Sequence, residues 1–190
     1  MDHRNDAALQ FLASRRSHPP KLLTGPGPDQ TQLTELLTLA ARVPDHGKLE
    51  PWRFIVLGRQ ALDALAPALQ AAVLADGQDQ AAADKAASAM ASPVIVAVVF
   101  SPVNSPKVPT WEQMLSVGAV CLGLVNAALA SGWGAAWLSG YVALNHDFAQ
   151  AHLGIAEHER VAGMIHIGTR TLTPPDRPRP DIAAKTRWLP

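Results

Sequence analysis

The sequence holds a single cysteine, Cys121, among 190 residues. One thiol makes neither an intramolecular disulfide nor a cysteine-based zinc cluster, which fits a reducing compartment. Net charge is lacking too, since 16 basic residues balance 16 acidic ones. That excludes a global field drawing the chain onto nucleic acid or an anionic membrane, and any anion site must be local. Charge disappears altogether between Glu112 and Asp147. The stretch is apolar enough to raise a membrane span, but Gly118, Gly123, Asn126, Ser131 and Gly132 interrupt it and no basic flank lies close to either end. A helix apolar on nearly every face otherwise belongs at the centre of a core or in a subunit interface, and an obligate dimer is expected. The opening residues, Met1 to Asp6, carry charges and no apolar run of signal-peptide length, so the expectation is a cytoplasmic protein. Seven histidines are scattered without a His-Glu-x-x-His or Cys-x-x-Cys string, and no glycine-rich loop joins a strand to a helix. Neither a metal site nor a hydrolytic triad nor a Rossmann domain is expected.

What the chain does have is apolar mass. With 48% hydrophobic residues, residues 1–190 suffice for one sizeable core and are read as a single domain. Ala8, Phe11 and Leu12 fall on one helical stripe that must stop before Pro19-Pro20. Asp29 suits the N-cap of a second helix with Leu33, Leu36, Leu37 and Ala40 on one face, ending near Pro44. Trp52 to Leu57 and Val161 to Ile167 read as strands, and the β-branched run from Pro93 to Phe100 as a strand buried on both faces. Residues 59–91 favour helices, with breaks expected at Pro67 and at Asp76-Gly77. Thr110 and Gln113 have the spacing of a capping box opening the long apolar helix, which should fray at Ser131-Gly132. Trp137 to Val142 is read as extended, Asn145 as the cap of a short helix ending at Gly154, and Thr173 to Pro180 as an extended surface tail. The pattern predicts an α+β fold, a mixed sheet between helices.

Against this background two polar islands stand out. Arg15-Arg16-Ser17 sets two guanidiniums and a hydroxyl at a helix end, donors suited to phosphate oxygens. The competing reading is a solvated terminus, where cations also suit the helix dipole. The second island is Arg42-Val43-Pro44-Asp45-His46, running on to Pro51-Trp52-Arg53-Phe54.

These strings, together with Lys107-Val108-Pro109, Trp111-Glu112-Gln113 and Gly132-Trp133-Gly134-Ala135-Ala136-Trp137-Leu138-Ser139-Gly140, resemble in order and spacing the nitroreductase family of FMN-dependent oxidoreductases, in its short YdjA-type branch. The resemblance implies an interlocked homodimer with two FMN sites at the interface. On that basis Arg15, Arg16 and Ser17 hold the phosphate and ribityl side, and Arg42 and His46 reach the flavin from the partner subunit. Trp137, Leu138 and Ser139 line the ring, with Gly140 permitting close approach, and residues 127–132 fall where nicotinamide contacts have been proposed for the family. Plainer roles compete: His46 as an interface histidine, Trp137 as core, Arg179 as part of a basic proline-rich tail rather than a phosphate ligand. Trp52 is assigned to packing. Two departures from the family are visible, Pro19 where many relatives keep a further Arg and Glu50 in place of Gln. The activity implied is hydride transfer from NADH or NADPH to FMN and then, by a ping-pong mechanism, to a nitroaromatic, quinone or enone acceptor. The alternative is a non-catalytic flavin-binding or storage protein.

Overall fold

In a computed structural model describing residues 3–189, the chain forms eight α-helices and five β-strands. Met1 and Asp2, part of the opening stretch read for a leader, lie outside the described residues. The centre is β5 (Arg160–Arg170), which pairs with β3 (Val94–Phe100) along one edge. It also pairs with β4 (Gly134–Leu138) and then with the two-residue β1 (Leu23–Thr24). The strand β2 (Trp52–Leu57) extends the sheet beyond β3. Every pairing among the described residues is antiparallel, so the α+β class is as expected but the sheet has no parallel component.

Alternation along β3 divides the core, because successive side chains leave a strand on opposite faces. Val94, Val96, Val98 and Phe100 meet α2 (Gln30–Ala40) and α5 (Thr110–Ala130), whereas Ile95, Ala97 and Val99 meet α3 (Arg59–Ala75) and α7 (His146–Leu153). All seven β3 residues are buried, as a strand covered on both faces requires. The long apolar helix is therefore a core helix: Val117, Val120, Cys121, Leu124 and Ala128 are fully buried against the sheet. Burial pushes the Cys121 thiol up to about 12, leaving it protonated. The opposite side of α5 is bare, with Trp111, Leu115 and Leu122 exposed at helical spacing.

Local chemistry explains most boundaries. Asp29 caps α2 in a full capping box with Gln32, and α2 stops at Ala40, short of Pro44, because the residue before a proline is driven out of the α region. Helix α3 ends at Ala75 before Asp76-Gly77 but runs through Pro67. Its buried face of Leu62, Leu65, Leu69 and Val73 outweighs one lost hydrogen bond on the exposed side. The capping box expected at Thr110 does not form, since Pro109 is the N-cap. The buried amide of Gln113 instead staples the preceding loop, accepting from Val103 N at 2.9 Å and donating to Val103 O at 2.9 Å and Val108 O at 3.1 Å. Nor is 137–142 extended throughout: β4 ends at Leu138 and α6 (Gly140–Leu144) follows at once. Asn145 caps α7, and Gly154 closes it in the left-handed region. Residues 173–180 carry no regular element before α8 (Ile182–Lys185).

Candidate functional site

Helix α1 (Asp6–Ser14) buries no residue of its own, and it delivers Arg15, Arg16 and Ser17 to the mouth of an open cleft of about 510 Å³. The opposite wall comes from β4, as Ala136, Trp137 and Leu138, and the tail closes one side with Arg177 and Arg179. Tertiary structure thus gathers four arginines, two of them from a segment more than 150 residues downstream. The tail is held by Arg179, which donates to Ala13 O at 2.8 Å and so also satisfies a carbonyl in the last turn of α1.

This cleft has the character of an anion site. Arg15 Nε and Arg16 Nε are buried and without a partner, a condition that costs free energy until an acceptor arrives. The Asp176 carboxylate already stands among them, 2.8 Å from Arg179 Nη1 and 3.6 Å from Arg16 Nη1. Its hydrogen bond from Arg179 holds Asp176 below the usual carboxylate range. Ser17 Oγ accepts from Arg15 at 3.3 Å. A phosphate offers the same kind of acceptor with more charge, so the donor set fits an FMN phosphate.

Trp137 lies across Gly163 of the neighbouring strand, its Nε1 donating to Ala162 O at 3.3 Å. A methyl group at Gly163 would stand 2.2 Å from Trp137 Nε1, so only glycine lets the indole lie there. Gly140, where close approach to the ring is expected, has φ of 60° and open space around it. It turns the chain from β4 into α6. Trp137 remains 42% exposed towards the cleft, which a purely core role does not require. Ser139 does not line this cleft. It faces a smaller apolar pocket with Leu69, Met90, Tyr141 and His166, where burial lowers His166 to about 4 and Ser92 Oγ meets its Nδ1 at 2.9 Å.

His46 belongs elsewhere. It lies in a loop where Gly47, Lys48 and Glu50 all have left-handed backbones, with φ of 75°, 53° and 49°; the two non-glycine residues cost about 1–3 kcal/mol each. Asp45 Oδ2 locks the turn by accepting from Glu50 N at 2.7 Å. The result is His46 Nδ1 at 2.8 Å from Glu112 Oε1, in the first turn of α5. Together they edge a second cleft of about 550 Å³, floored by Leu115 and Ala119 on the bare side of α5. No residue lines both large clefts. Arg42 is exposed near the end of α2, lines neither, and makes no side-chain hydrogen bond or ion pair among the described residues. Glu50 also lines neither. Trp52 packs on the core, as assigned.

The loop leads directly into β2, whose Arg53 forms a two-pronged bridge to Glu159, at 2.7 Å to Oε1 and 2.6 Å to Oε2. The Arg53 guanidinium holds the Glu159 carboxyl down at about 2. Glu112 belongs to a string the sequence offers but has no role assigned there, and Asp176 and the buried imidazole of His18, whose two ring nitrogens have no partner, do not stand out in the sequence. Their significance depends on neighbours distant along the chain.

Fold and clefts together define an α+β protein with an anion clamp beside an exposed indole. Residues 12–169 match the nitroreductase family, and the chain belongs to that family. It is 34% identical over 166 residues to an Escherichia coli (strain K12) protein named "Putative NAD(P)H nitroreductase YdjA", covering 87% of this chain and 89% of that one. It is 39% identical over 165 residues to a "Putative NAD(P)H nitroreductase" of Haemophilus influenzae (strain ATCC 51907 / DSM 11121 / KW20 / Rd), covering 85% and 88%. Among solved structures, the fold resembles a variant of the FMN- and NADPH-dependent nitroreductase NfnB from Sphigopyxis sp. strain HMH. The TM-score is 0.77 at 17% identity, over 96% of this chain and 99% of that one.

Proposed function

We propose that the chain is an FMN-dependent NAD(P)H oxidoreductase that works as a homodimer and delivers electrons to a nitroaromatic, quinone or enone acceptor. The observation that carries this reading is the separation of Arg15, Arg16, Ser17, Trp137 and Leu138 in one cleft from His46 in another. Arg15, Arg16, Ser17 and Arg179 hold the FMN phosphate, and Trp137, Leu138 and the backbone at Ser139 border the ring. A second copy, seated on the bare face of α5 and embraced by the tail, brings Arg42 and His46 of its own loop to the same cofactor. Trp111, Leu115 and Leu122 supply the apolar surface such an interface needs, and Ile182, Trp188 and Leu189 give the tail its own exposed apolar groups.

Bound FMN supplies a ring able to accept hydride from a reduced nicotinamide and release it to a second substrate. The protein's part is to hold the phosphate, leave one face open beside Trp137, and set the positive charge of Arg42 where reduction makes the ring anionic. One open face serves donor and acceptor in turn, which gives ping-pong turnover. The test is the visible spectrum of the purified chain supplied with FMN, before and after anaerobic NADH or NADPH. A flavin spectrum bleached by the nicotinamide and restored by a quinone supports the proposal. Bound flavin that neither nicotinamide reduces would convert the reading to flavin storage.

A further inference from the structure

On the reading that FMN binds between subunits, an acceptor that takes a hydride still needs a proton, and the structure assigns its source. We propose that His46, oriented by Glu112, is the proton donor to the reduced acceptor, with Glu112 as its positioning residue.

The geometry carries this in three steps. An ionised carboxylate only accepts hydrogen bonds, so the His46 nitrogen that faces Glu112 Oε1 at 2.8 Å bears a proton. Nδ1 is thereby committed and Nε2 is the nitrogen left for the cleft. Next, His46 is the one imidazole lining either large cleft among the described residues. The other charged groups near it are accounted for: Asp45 is engaged by Glu50 N, and Lys48 and Glu50 lie outside the cleft lining. Finally, the loop accepts three left-handed residues in four positions to bring His46 to Glu112. Strain of this kind gathers where a side chain must be aimed. Glu112 itself sits in the first turn of α5, where the helix dipole favours its negative charge.

The step balances. A quinone that has gained a hydride, drawn from NAD(P)H, is a hydroquinone monoanion. The imidazolium Nε2–H bond breaks, a bond to the phenolate oxygen forms, and His46 is left neutral with Nδ1–H still held by Glu112. Solvent returns the proton after product leaves.

The test uses the FMN-loaded dimer, reduced anaerobically with NADH and mixed with 1,4-benzoquinone, which needs a proton, or ferricyanide, which takes an electron without one. Glu112→Ala should slow reoxidation by benzoquinone roughly 10–100-fold and leave the ferricyanide rate unchanged. Nitrogen-15 spectra of the histidines should report a protonated, hydrogen-bonded Nδ1 for His46 in the parent, lost in Glu112→Ala. The signature should persist in Glu112→Gln, whose amide oxygen still accepts from Nδ1–H and whose benzoquinone rate should be partly restored. Equal slowing with both acceptors, or an unchanged benzoquinone rate in Glu112→Ala, overturns the proposal. A parent chain that takes up no FMN refutes the functional reading and the proton step with it, while the nitrogen spectra still report the pairing.

Discussion

The two large clefts of this chain are built on opposite plans. The arginine cleft is carried by regular structure: β4 supplies Trp137 and Leu138, Gly163 of β5 makes room for the indole, and the end of α1 presents Arg15 and Arg16. It is cationic and its guanidinium Nε atoms wait for an acceptor. The histidine cleft is carried by a strained loop and one helix turn, and its polar groups have already found each other. The first plan suits a site that must seize a charged cofactor, since unmet donors make binding favourable. The second suits a group held at a fixed orientation before anything arrives.

The largest expected separation comes from stripping the cationic cleft. Arg15→Ala combined with Arg16→Ala should weaken FMN binding by roughly 10²-fold or more, since a hydrogen bond to a charged group contributes about 1.5–3 kcal/mol. Fluorescence titration of the apo form measures this, and size-exclusion should still give a dimer. The His46–Glu112 pair, monitored by nitrogen-15 spectra, should be unaffected.

The Arg53–Glu159 bridge, just beyond the strained loop, is the next target. Glu159 titrates near 2 in the folded chain against 4.5 as an ordinary carboxyl. Its folded value is depressed, so its stabilisation is complete above the unfolded value and is lost as pH falls from about 4.5 towards 2. Glu159→Gln should therefore lower stability by a few kcal/mol at pH 7 and flatten the acid limb of a Tm-against-pH curve over that window. An unchanged acid limb would show that the bridge does not stabilise the fold.

A smaller effect, confined to the arginine cleft, is expected from Gly163→Ala. The added methyl meets Trp137 side-chain atoms at 2.2 and 2.6 Å, so the indole must leave its seat, at a cost of about 1–3 kcal/mol. The flavin spectrum and Tm should both shift, with the His46 signature intact. Smallest of all, Asp176→Asn removes a carboxylate competing for Arg16 and Arg179. FMN should bind a few-fold tighter at low salt and indistinguishably at high salt.

These sites differ in how far the sequence reveals them. The Arg15–Ser17 triplet, directly after α1, and the Trp137 segment, at the end of β4, are contiguous strings, and β3 announces its double burial in an unbroken β-branched run. The Asp29 cap is equally local, as is the glycine closing α7. What escaped reading depends on partners remote in the chain. Glu112 meets His46 across 66 positions, and Asp176 becomes an anion within the clamp only when the tail folds back. In the sequence Pro67 reads as a break because its local penalty is visible there, whereas the buried leucine face that outweighs it is a tertiary property. The Thr110 cap failed for a similar reason: Gln113 has better partners in the loop before it.

The central claim is that Arg15 of one subunit and His46 of the other serve the same FMN. Dimers mixed from one Arg15→Ala chain and one His46→Ala chain test it most directly. If the site spans the interface, one site per mixed dimer recovers both residues, and half of the parental FMN-dependent benzoquinone reduction returns. Each variant homodimer stays impaired at both sites. Activity in the mixed dimer no higher than the average of the two homodimers would place Arg15 and His46 in sites within single chains and contradict the account.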